Sequence, residues 1–329
     1  MLEEFITHIE NHFPNLLEER FLIACSGGID SMVLVDLCAR ANLHFALAHC
    51  NFRLRGSESD GDEKLVRETA QKEDIRFYVT HFDTIGYMNE KKVSLQVATR
   101  ELRYAWFAEI MHENGIDNLI TGHHADDNLE TFLINLSRGT GIDGLTGIPE
   151  KTETISRPLL RFSRNDILQY AKSENIQWRE DSTNAETKYV RNNIRHRIVP
   201  LLKELNSNFL TNFQNTQDYL GQTAKIADNH IEQVRNTYFK NEGDRTRISV
   251  LGLSQLKPLK GYLYGLFKSY GFTEWDDVEN LLTAMSGKEV FSETHRLIKD
   301  RDNLLLVKRN HTDENQYEIK ENQHSIDVP

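Results

Sequence analysis

The most specific reactive segment is a short glycine turn near the N-terminus, with the sequence SGGIDS at residues 26–31. It follows an apolar run and precedes a helical pattern, so its free N–H groups and the helix start can point at an anion. The turn has no lysine, whereas the Walker phosphate loop requires one. We therefore predict a lysine-free phosphate loop made of Ser26, Gly27, Gly28, Ile29, Asp30 and Ser31.

The carboxylate of Asp30 stands among these anion-binding donors. A carboxylate repels phosphate unless a divalent cation lies between them, and both kinds of oxygen are ligands that Mg²⁺ prefers. The alternative is an ordinary glycine turn in which Asp30 caps the following helix. We favour a magnesium site, because the whole SGGxDS pattern follows an apolar strand near the N-terminus.

A second acidic segment, HHADDNLET at residues 123–131, closes a predicted strand and opens a predicted helix. Ligands of parallel sheets bind at the carboxyl ends of the strands, so Asp127, with Asp126 near it, is expected to share magnesium with Asp30. A zinc site through His123 and Asp127 is a weaker alternative, because the helix begins too late to align that pair. An aspartate that only caps the helix is the other alternative.

Strand-like and helix-like segments that can position these residues alternate through the first part of the chain. The predicted strands are 21–25, 43–50, 76–82 and 118–124, and the predicted helices are 3–18, 30–41, 59–73, 94–113 and 128–138. Helical crossovers between strands give a parallel sheet covered on both faces. We predict that residues 1–205 form a doubly wound, mostly parallel α/β domain.

The pattern changes after residue 205. We predict a polar helix over 209–240, a strand at 247–253, helices at 254–269 and 274–286, and a hairpin over 289–309 that turns at 300–303. These elements indicate a smaller α+β domain at 206–310. Residues 311–329 read as a polar tail.

Composition excludes several classes of protein. The 329 residues are 39% hydrophobic and 27% charged, and no apolar run approaches the roughly 18 residues of a membrane span. The N-terminus is acidic and amphipathic, unlike a signal peptide, so we expect a cytoplasmic protein without a membrane partner. Three cysteines without a CxxC pair argue against a disulfide framework and against cysteine-held zinc or iron–sulfur.

The charge is unevenly distributed. A net charge of −11 argues against nucleic acid as a partner. Residues 157–203, however, contain ten Lys and Arg against five Asp and Glu. This basic segment is either a solvated surface or a set of contacts to RNA phosphates.

Several blocks of the chain resemble one family of enzymes. SGGIDS resembles the PP-loop ATP pyrophosphatases, whose fold is that of the adenine nucleotide alpha hydrolases. The tRNA(Ile)-lysidine synthetase family is identified more narrowly by AHCNFRLRGSESDGD (48–62), ATRELRYAWF (98–107), TGHHADDNLETFLINLSRGTGIDGLTGI (121–148), RPLL (157–160) and WREDSTNAETKYVRNNIRHRIVPLL (178–202). The resemblance spans about 20–205 and is looser in the C-terminal part.

The resemblance implies an ATP-dependent ligase. Its members join L-lysine to C2 of cytidine 34 in the CAU anticodon of tRNA(Ile), through an adenylated cytidine. It implies that Asp30 and Asp127 hold Mg²⁺ and stabilise charge in the transition state. The other residues it implicates at the nucleotide, tRNA or lysine are His49, Arg100, Arg103, Asp126, Glu180, Asp181, Arg191, Asn192 and Arg195.

Several alternatives stay open beside this resemblance. Arg100 and Arg103 could belong to an ordinary charged helix face, and Asp181 could cap a turn. A tRNA thiolase would normally need paired cysteines, which the chain lacks. An NAD or GMP synthetase would need no RNA-binding domain, and a non-catalytic ATP-binding module would need no second carboxylate. A homodimer is a further expectation.

Overall fold

The apolar runs of the first half of the chain pair as a parallel sheet in a computed structural model of the protein, which describes residues 1–180 and 190–309. The strands are β1 (Phe21–Ala24), β2 (Phe45–Asn51), β3 (Arg76–His81), β4 (Leu119–Thr121) and β5 (Ile155–Ser156). Their order is β3-β2-β1-β4-β5, and every neighbouring pair is parallel.

Helices cover both faces of this sheet. They are α1 (Leu2–His12), α2 (Asn15–Glu18), α3 (Ile29–Arg40), α4 (Ser57–Lys72), α5 (Thr84–Lys91), α6 (Leu95–Asn114), α7 (Ala125–Arg138), α8 (Ile142–Leu145), α9 (Arg164–Ser173), α10 (Val190–Asn193) and α11 (Val199–Leu205). A 3-10 turn (Pro158–Arg161) precedes α9, and a π-helical turn (Ile194–Ile198) joins α10 to α11.

The side chains of β1 alternate between two hydrophobic cores. Phe21 and Ile23 pack into one core with Leu34 of α3, whereas Leu22 packs into the other with Phe107 of α6. A strand buried on both faces requires a covering layer on each side. The predicted doubly wound α/β fold is therefore confirmed.

The strand order places a crevice where the site residues are. From β1 the chain runs to β2 and β3 on one side, and then returns to β4 and β5 on the other. The loops after β1 and β4 leave the sheet in opposite directions, and this topological switch point is where ligands bind in such sheets. Asp30 follows β1 and Asp127 follows β4.

The chain divides into two compact units, Met1–Gly221 and Gln222–Pro329, hereafter the N-terminal and C-terminal units. The division falls within α12 (Phe209–Tyr238). The remaining elements are β6 (Phe239–Glu242), β7 (Arg245–Ser249), α13 (Val250–Ser254), α14 (Leu259–Phe267), α15 (Trp275–Leu281), β8 (Glu289–Phe291), β9 (His295–Asp300) and β10 (Asn303–Lys308), with a 3-10 turn at Lys268–Tyr270. The predicted division after residue 205 stays a prediction, and the predicted tail lies outside the described residues.

The second sheet is antiparallel, with the order β6-β7-β10-β9-β8. Its core includes Ile248, Leu297 and Leu304 from the sheet, and Leu266 and Phe267 from α14. The predicted hairpin is present, since β9 and β10 pair through Asp300 and Asn303. The smaller α+β fold is confirmed.

Some predicted boundaries were wrong for local reasons. The helix predicted over 3–18 is broken at Pro14, which lacks the N–H that a continuing helix needs. The strand predicted over 118–124 ends at Thr121 because His124 caps α7. The strand predicted at 247–253 ends at Ser249, whose hydroxyl caps α13.

None of the helices in the described ranges combines the length and the apolar character that crossing a bilayer requires.

Candidate active site

The glycine turn is prefolded by its own hydroxyl groups. Gly27 has φ +85°, a left-handed conformation that favours glycine. The Ser31 hydroxyl donates to the Gly28 carbonyl at 2.9 Å and accepts from the Ser26 N–H at 3.2 Å. Gly28 is the N-cap of α3 and provides no side-chain cap. The first amides of α3 are therefore not satisfied by a capping side chain, as anion binding requires, and Asp30 is not the N-cap.

Two residues from distant blocks, Asp62 and Arg179, support the back of this turn through their backbones and are joined by their side chains. The Arg179 N–H donates to the Gly27 carbonyl at 3.0 Å, and its guanidinium Nε donates to Asp62 at 2.7 Å. Asp62 also accepts from Arg55 at 2.8 Å, and its carbonyl oxygen would lie 3.3 Å from a Cβ on Gly27. Asp62 and Arg179 therefore fix the position of the phosphate loop. Sequence reasoning did not identify these contacts.

Asp30 and Asp127 approach the same imidazole. The buried Nε2 of His124 lies 3.6 Å from Asp30 Oδ1 and 3.5 Å from Asp127 Oδ2. His124 also joins Asp127 in a capping box at the start of α7: the Asp127 N–H donates to His124 Nδ1 at 3.3 Å, and the His124 N–H donates to Asp127 Oδ2 at 3.1 Å. The two strand ends thus bring both carboxylates to the same histidine, where a bound phosphate or cation could meet them.

This pair fits a divalent cation. Asp30 Oδ1 is buried and has no hydrogen-bond partner. Burial raises the pKa of the Asp30 carboxyl above its ordinary value, a His124 cation would lower it, and the neighbouring charge of Asp127 raises it further. An unpartnered carboxylate oxygen beside a second carboxylate is a position that a hard cation would stabilise.

Arginines from the π-helical turn and α10 neutralise the other side of α7. Arg195 binds buried Glu130 through Nε at 2.6 Å and Nη2 at 3.0 Å, and Nη2 also donates to Asp127 Oδ1 at 3.0 Å. Arg191 donates to Thr131 at 2.7 Å and lies 3.6 Å from Glu130. The predicted Arg191 and Arg195 therefore both meet α7. Glu130 was missed as a site residue, although its position one helical turn after Asp127 was a usable signal.

An open cavity of about 270 Å³ contains both carboxylates. Its remaining lining is formed by Ala24, Cys25, Ser26, Ser31, Ala48, Cys50, Phe52, Arg103, Tyr104, Phe107, Thr121, Gly122, His123 and Arg191. The guanidinium of Arg103 lies 5.3 Å from the centre of the Phe52 ring, so one wall combines a cation with aromatic faces. Such a wall suits a nucleobase, which stacks on aromatic faces and guanidinium planes.

His123 also lines the cavity, and its Nδ1 lies 2.8 Å from the Thr121 hydroxyl. Burial lowers the pKa of His123 to about 4, so this ring is neutral at neutral pH. The zinc alternative at His123 and Asp127 lacks the third protein ligand that zinc needs, because within 1–180 and 190–309 no His, Cys, Asp or Glu side chain completes a group of three with this pair.

Other predicted residues lie away from the cavity lining. Asp126 points in another direction: it accepts from the Arg164 N–H at 2.9 Å and pairs with Lys203. His49 is buried, and its Nδ1 lies 2.9 Å from the Cys25 carbonyl, so it supports the strand before the phosphate loop.

Three further predictions have different outcomes. Arg100 is exposed on α6, and its guanidinium lies 4.8 Å from the Tyr104 ring centre. Asn192 lies on α10, next to Arg191. Asp181 lies outside the described residues, whereas its neighbour Glu180 is exposed.

A lysine-free glycine turn at the switch point of a parallel sheet characterises PP-loop proteins, and residues 1–202 match the PP-loop domain family. Residues 241–309 match the TilS substrate binding domain family. The chain belongs to the tRNA(Ile)-lysidine synthase family. The predicted family, ATP use and class of carbon–nitrogen ligase are thereby confirmed.

Individual relatives support this assignment. A tRNA(Ile)-lysidine synthase from Bacteroides thetaiotaomicron is 39% identical over 306 residues, covering 92% of this chain and 71% of the relative. One from Parabacteroides distasonis is 40% identical over 295 residues, covering 89% and 67%. The solved U34-tRNA thiolase NcsA from Methanococcus maripaludis has a similar fold, with a TM-score of 0.56 and 16% identity over 67% of this chain and 78% of its own.

Proposed function

We propose that this chain uses ATP to join L-lysine to C2 of cytidine 34 in a tRNA(Ile) with a CAU anticodon, forming lysidine, AMP and pyrophosphate. The observation that carries the proposal is the meeting of Asp30 and Asp127 at His124, beside a prefolded phosphate loop. A site that only bound ATP would need no second carboxylate directed at the phosphates.

In the first step, O2 of the cytosine attacks the α-phosphate, and the bond to the β-phosphate breaks. The N–H groups of the loop and the first turn of α3 stabilise the departing pyrophosphate, because they already point at the phosphate position before negative charge builds up on the pyrophosphate. The Ser26 and Ser31 hydroxyls lie 3.3 Å apart in this loop and hold its shape.

The residues that would hold Mg²⁺ are Asp30, whose Oδ1 has no hydrogen-bond partner, and Asp127, which approaches the same His124 ring. A magnesium ion bound there supplies positive charge to the phosphate oxygens. Arg195 donates to Oδ1, the other carboxylate oxygen of Asp127, and so holds that side chain in position.

In the second step, the neutral ε-amine of lysine attacks C2, and AMP leaves with the oxygen that was adenylated. The incoming ammonium needs acidic partners until it loses a proton. Glu180 and Asp181 are proposed for this contact on the family resemblance. Arg103 and Phe52 offer a stacking surface for the base at the opposite wall.

The tRNA needs a larger surface than the cavity. The C-terminal unit matches a substrate binding domain, and the basic segment 157–203 can contact RNA phosphates while the acidic remainder repels non-specific RNA. A cytoplasmic location and a homodimer remain predictions.

The test is transfer of labelled lysine to tRNA. The purified chain is incubated with ATP, Mg²⁺, labelled L-lysine and a tRNA(Ile) transcript bearing CAU, and the label should appear in the RNA at position 34. A matched transcript with U at position 34 is the substrate control. Incorporation of sulfur or ammonia, or absence of label under conditions where the tRNA binds, would contradict the proposal.

The roles of the carboxylates are tested separately. Asp30→Asn and Asp127→Asn should each abolish ATP/pyrophosphate exchange in the presence of tRNA, while Asp117→Asn, on an exposed surface, should leave it unchanged. Retained exchange in both site variants would remove the metal assignment without affecting the family assignment.

A further inference from the structure

A second cluster of possible metal ligands lies on α1, apart from the lining of the cavity. His8 and His12 are one helical turn apart on α1, and Glu150 lies in the segment before β5. One ligand atom of each lies within 4.8 Å of the other two. In the described part of the chain, no other group of three His, Cys, Asp or Glu side chains approaches this closely.

The geometry leaves two buried atoms unsatisfied. His8 Nε2 lies 3.1 Å from Glu150 Oε1, and His12 Nδ1 lies 3.6 Å from Glu150 Oε2. Despite that approach, His8 Nε2 and Glu150 Oε1 are both buried without an aligned hydrogen-bond partner. The His8 side chain is only 10% exposed. A buried polar atom without a partner destabilises the fold, so the pair favours an additional ligand.

Arg161 is the competing cation. Its Nε lies 3.7 Å from Glu150 Oε1, but its Nη1 donates to Asp218 at 3.2 Å. The Arg161 side chain is 43% exposed, so it can keep Asp218 and turn away from Glu150. Arg161 therefore does not block a metal from reaching the carboxylate.

We propose that His8, His12 and Glu150 form a site for a borderline divalent transition ion of the Zn²⁺ type. Two imidazoles and one carboxylate are a ligand set that zinc accepts, with a water molecule in the fourth position. The site is open to solvent at His12, whose side chain is 44% exposed, so a metal ion and its water ligand can enter there. A metal here would join α1, which buries Phe5 and Ile9 in the main core, to the segment before the edge strand β5. The site is separate from the proposed magnesium pair, and its metal would cross-link these two segments.

The experiment is a Zn²⁺ titration of the full chain after chelator treatment, in buffer containing millimolar Mg²⁺ to occupy the Asp30 and Asp127 pair. Binding is followed by calorimetry, by the visible spectrum of bound Co²⁺ and by the thermal midpoint. The parent should bind one ion at this site, show a tetrahedral Co²⁺ spectrum and melt at a higher temperature with Zn²⁺. His12→Gln and Glu150→Gln should weaken binding by at least roughly thirtyfold and lose both responses.

His112→Gln is the matched control, because His112 is also an exposed histidine in the last turn of a long helix. It should behave like the parent. Equal Zn²⁺ affinity and equal Co²⁺ spectra in the parent and His12→Gln would overturn the proposal, as would no binding by the folded parent at millimolar Zn²⁺. If Glu150→Gln fails to fold, His12→Gln decides, since it changes a largely exposed side chain.

Discussion

Gly122→Ala should slow catalysis by moving Asp30, although glycine and alanine differ by one methyl group. Gly122 follows β4, and a Cβ at this position would lie 3.1 Å from the Asp30 carbonyl carbon and 3.3 Å from the Ser31 nitrogen. Both neighbours are backbone atoms of the first turn of α3, so no flexible side chain can turn away. Gly122 is not among the residues with positive φ, so alanine creates no backbone strain there.

The size of the effect follows from this contact. A Cβ at 3.1 Å requires its neighbours to retreat by a few tenths of an ångström. Overpacking of this kind costs about 1–3 kcal/mol of stability. A displacement of about 1 Å in a catalytic site can cost roughly a hundredfold in rate, so a shift of a few tenths should lower kcat about fourfold to tenfold. The KM for ATP should change less, because the amide donors of the loop remain.

The assay measures lysine transfer at saturating ATP and tRNA, together with unfolding by denaturant. Gly221→Ala is the control: a Cβ there meets open space, so kcat should stay unchanged. A normal kcat and a normal stability for Gly122→Ala would refute the argument, because the contact would then be loose. A lower stability with unchanged kcat per folded molecule would show that Asp30 does not depend on this contact.

Other substitutions test the ion pairs. Arg195→Gln should destabilise the chain by about 3 kcal/mol in denaturant unfolding, because Glu130 would remain buried and lose its main partner. An unchanged unfolding midpoint would contradict this expectation. Asp126→Asn should lower the free energy of unfolding by about 1–3 kcal/mol without lowering kcat per folded molecule, since Asp126 binds the Arg164 N–H and Lys203 outside the cavity. A loss of kcat would show instead that Asp126 acts at the substrate site. Burial would raise the pKa of Glu63, but hydrogen bonds from Asn51, Arg67 and His81 outweigh it and lower that pKa to about 2. The ionised Glu63 carboxylate therefore stabilises the fold fully above pH 4.5, and this stabilisation is lost as the pH falls toward 2. After allowance for solvent screening, Glu63→Gln should cost about 1–2 kcal/mol at pH 7, and the difference from the parent should vanish near pH 2; a pH-independent difference would exclude the ionised carboxylate as its cause.

The fold was predictable where one signal dominated. The run 21–25 had to be a buried strand, because it is apolar throughout and ends in a glycine turn. The two-residue strand β5 and the exposed strand β6 carry no such signal: Ile155–Ser156 pairs only at the sheet edge, and Phe239–Glu242 continues directly from α12. Tertiary pairing, rather than local propensity, makes these segments strands.

The site was predictable only in part, because sequence spacing does not give side-chain direction. The phosphate loop and the pair of Asp30 and Asp127 followed from their positions after strands. The support of Gly27 by Asp62 and Arg179 did not, since these residues are distant in the chain and meet only after folding. Glu130 was missed for the same reason, because its partners Arg191 and Arg195 lie far along the chain and meet it only after folding.

Asp126 and Asp127 show why adjacent carboxylates have different roles. Successive residues in a helix point about 100° apart, so the first turn of α7 aims them at different neighbours. Burial alone would raise the pKa of Asp126, but the Arg164 N–H and Lys203 bring it below its ordinary value, which makes this side chain a satisfied anchor. Asp127 lines the cavity and shares His124 with Asp30, whose Oδ1 has no hydrogen-bond partner. Lys203 and the Arg164 N–H already satisfy the Asp126 carboxylate, whereas Asp30 Oδ1 has no partner. We therefore expect the cation that a bound triphosphate needs at Asp30 and Asp127, and not at Asp126.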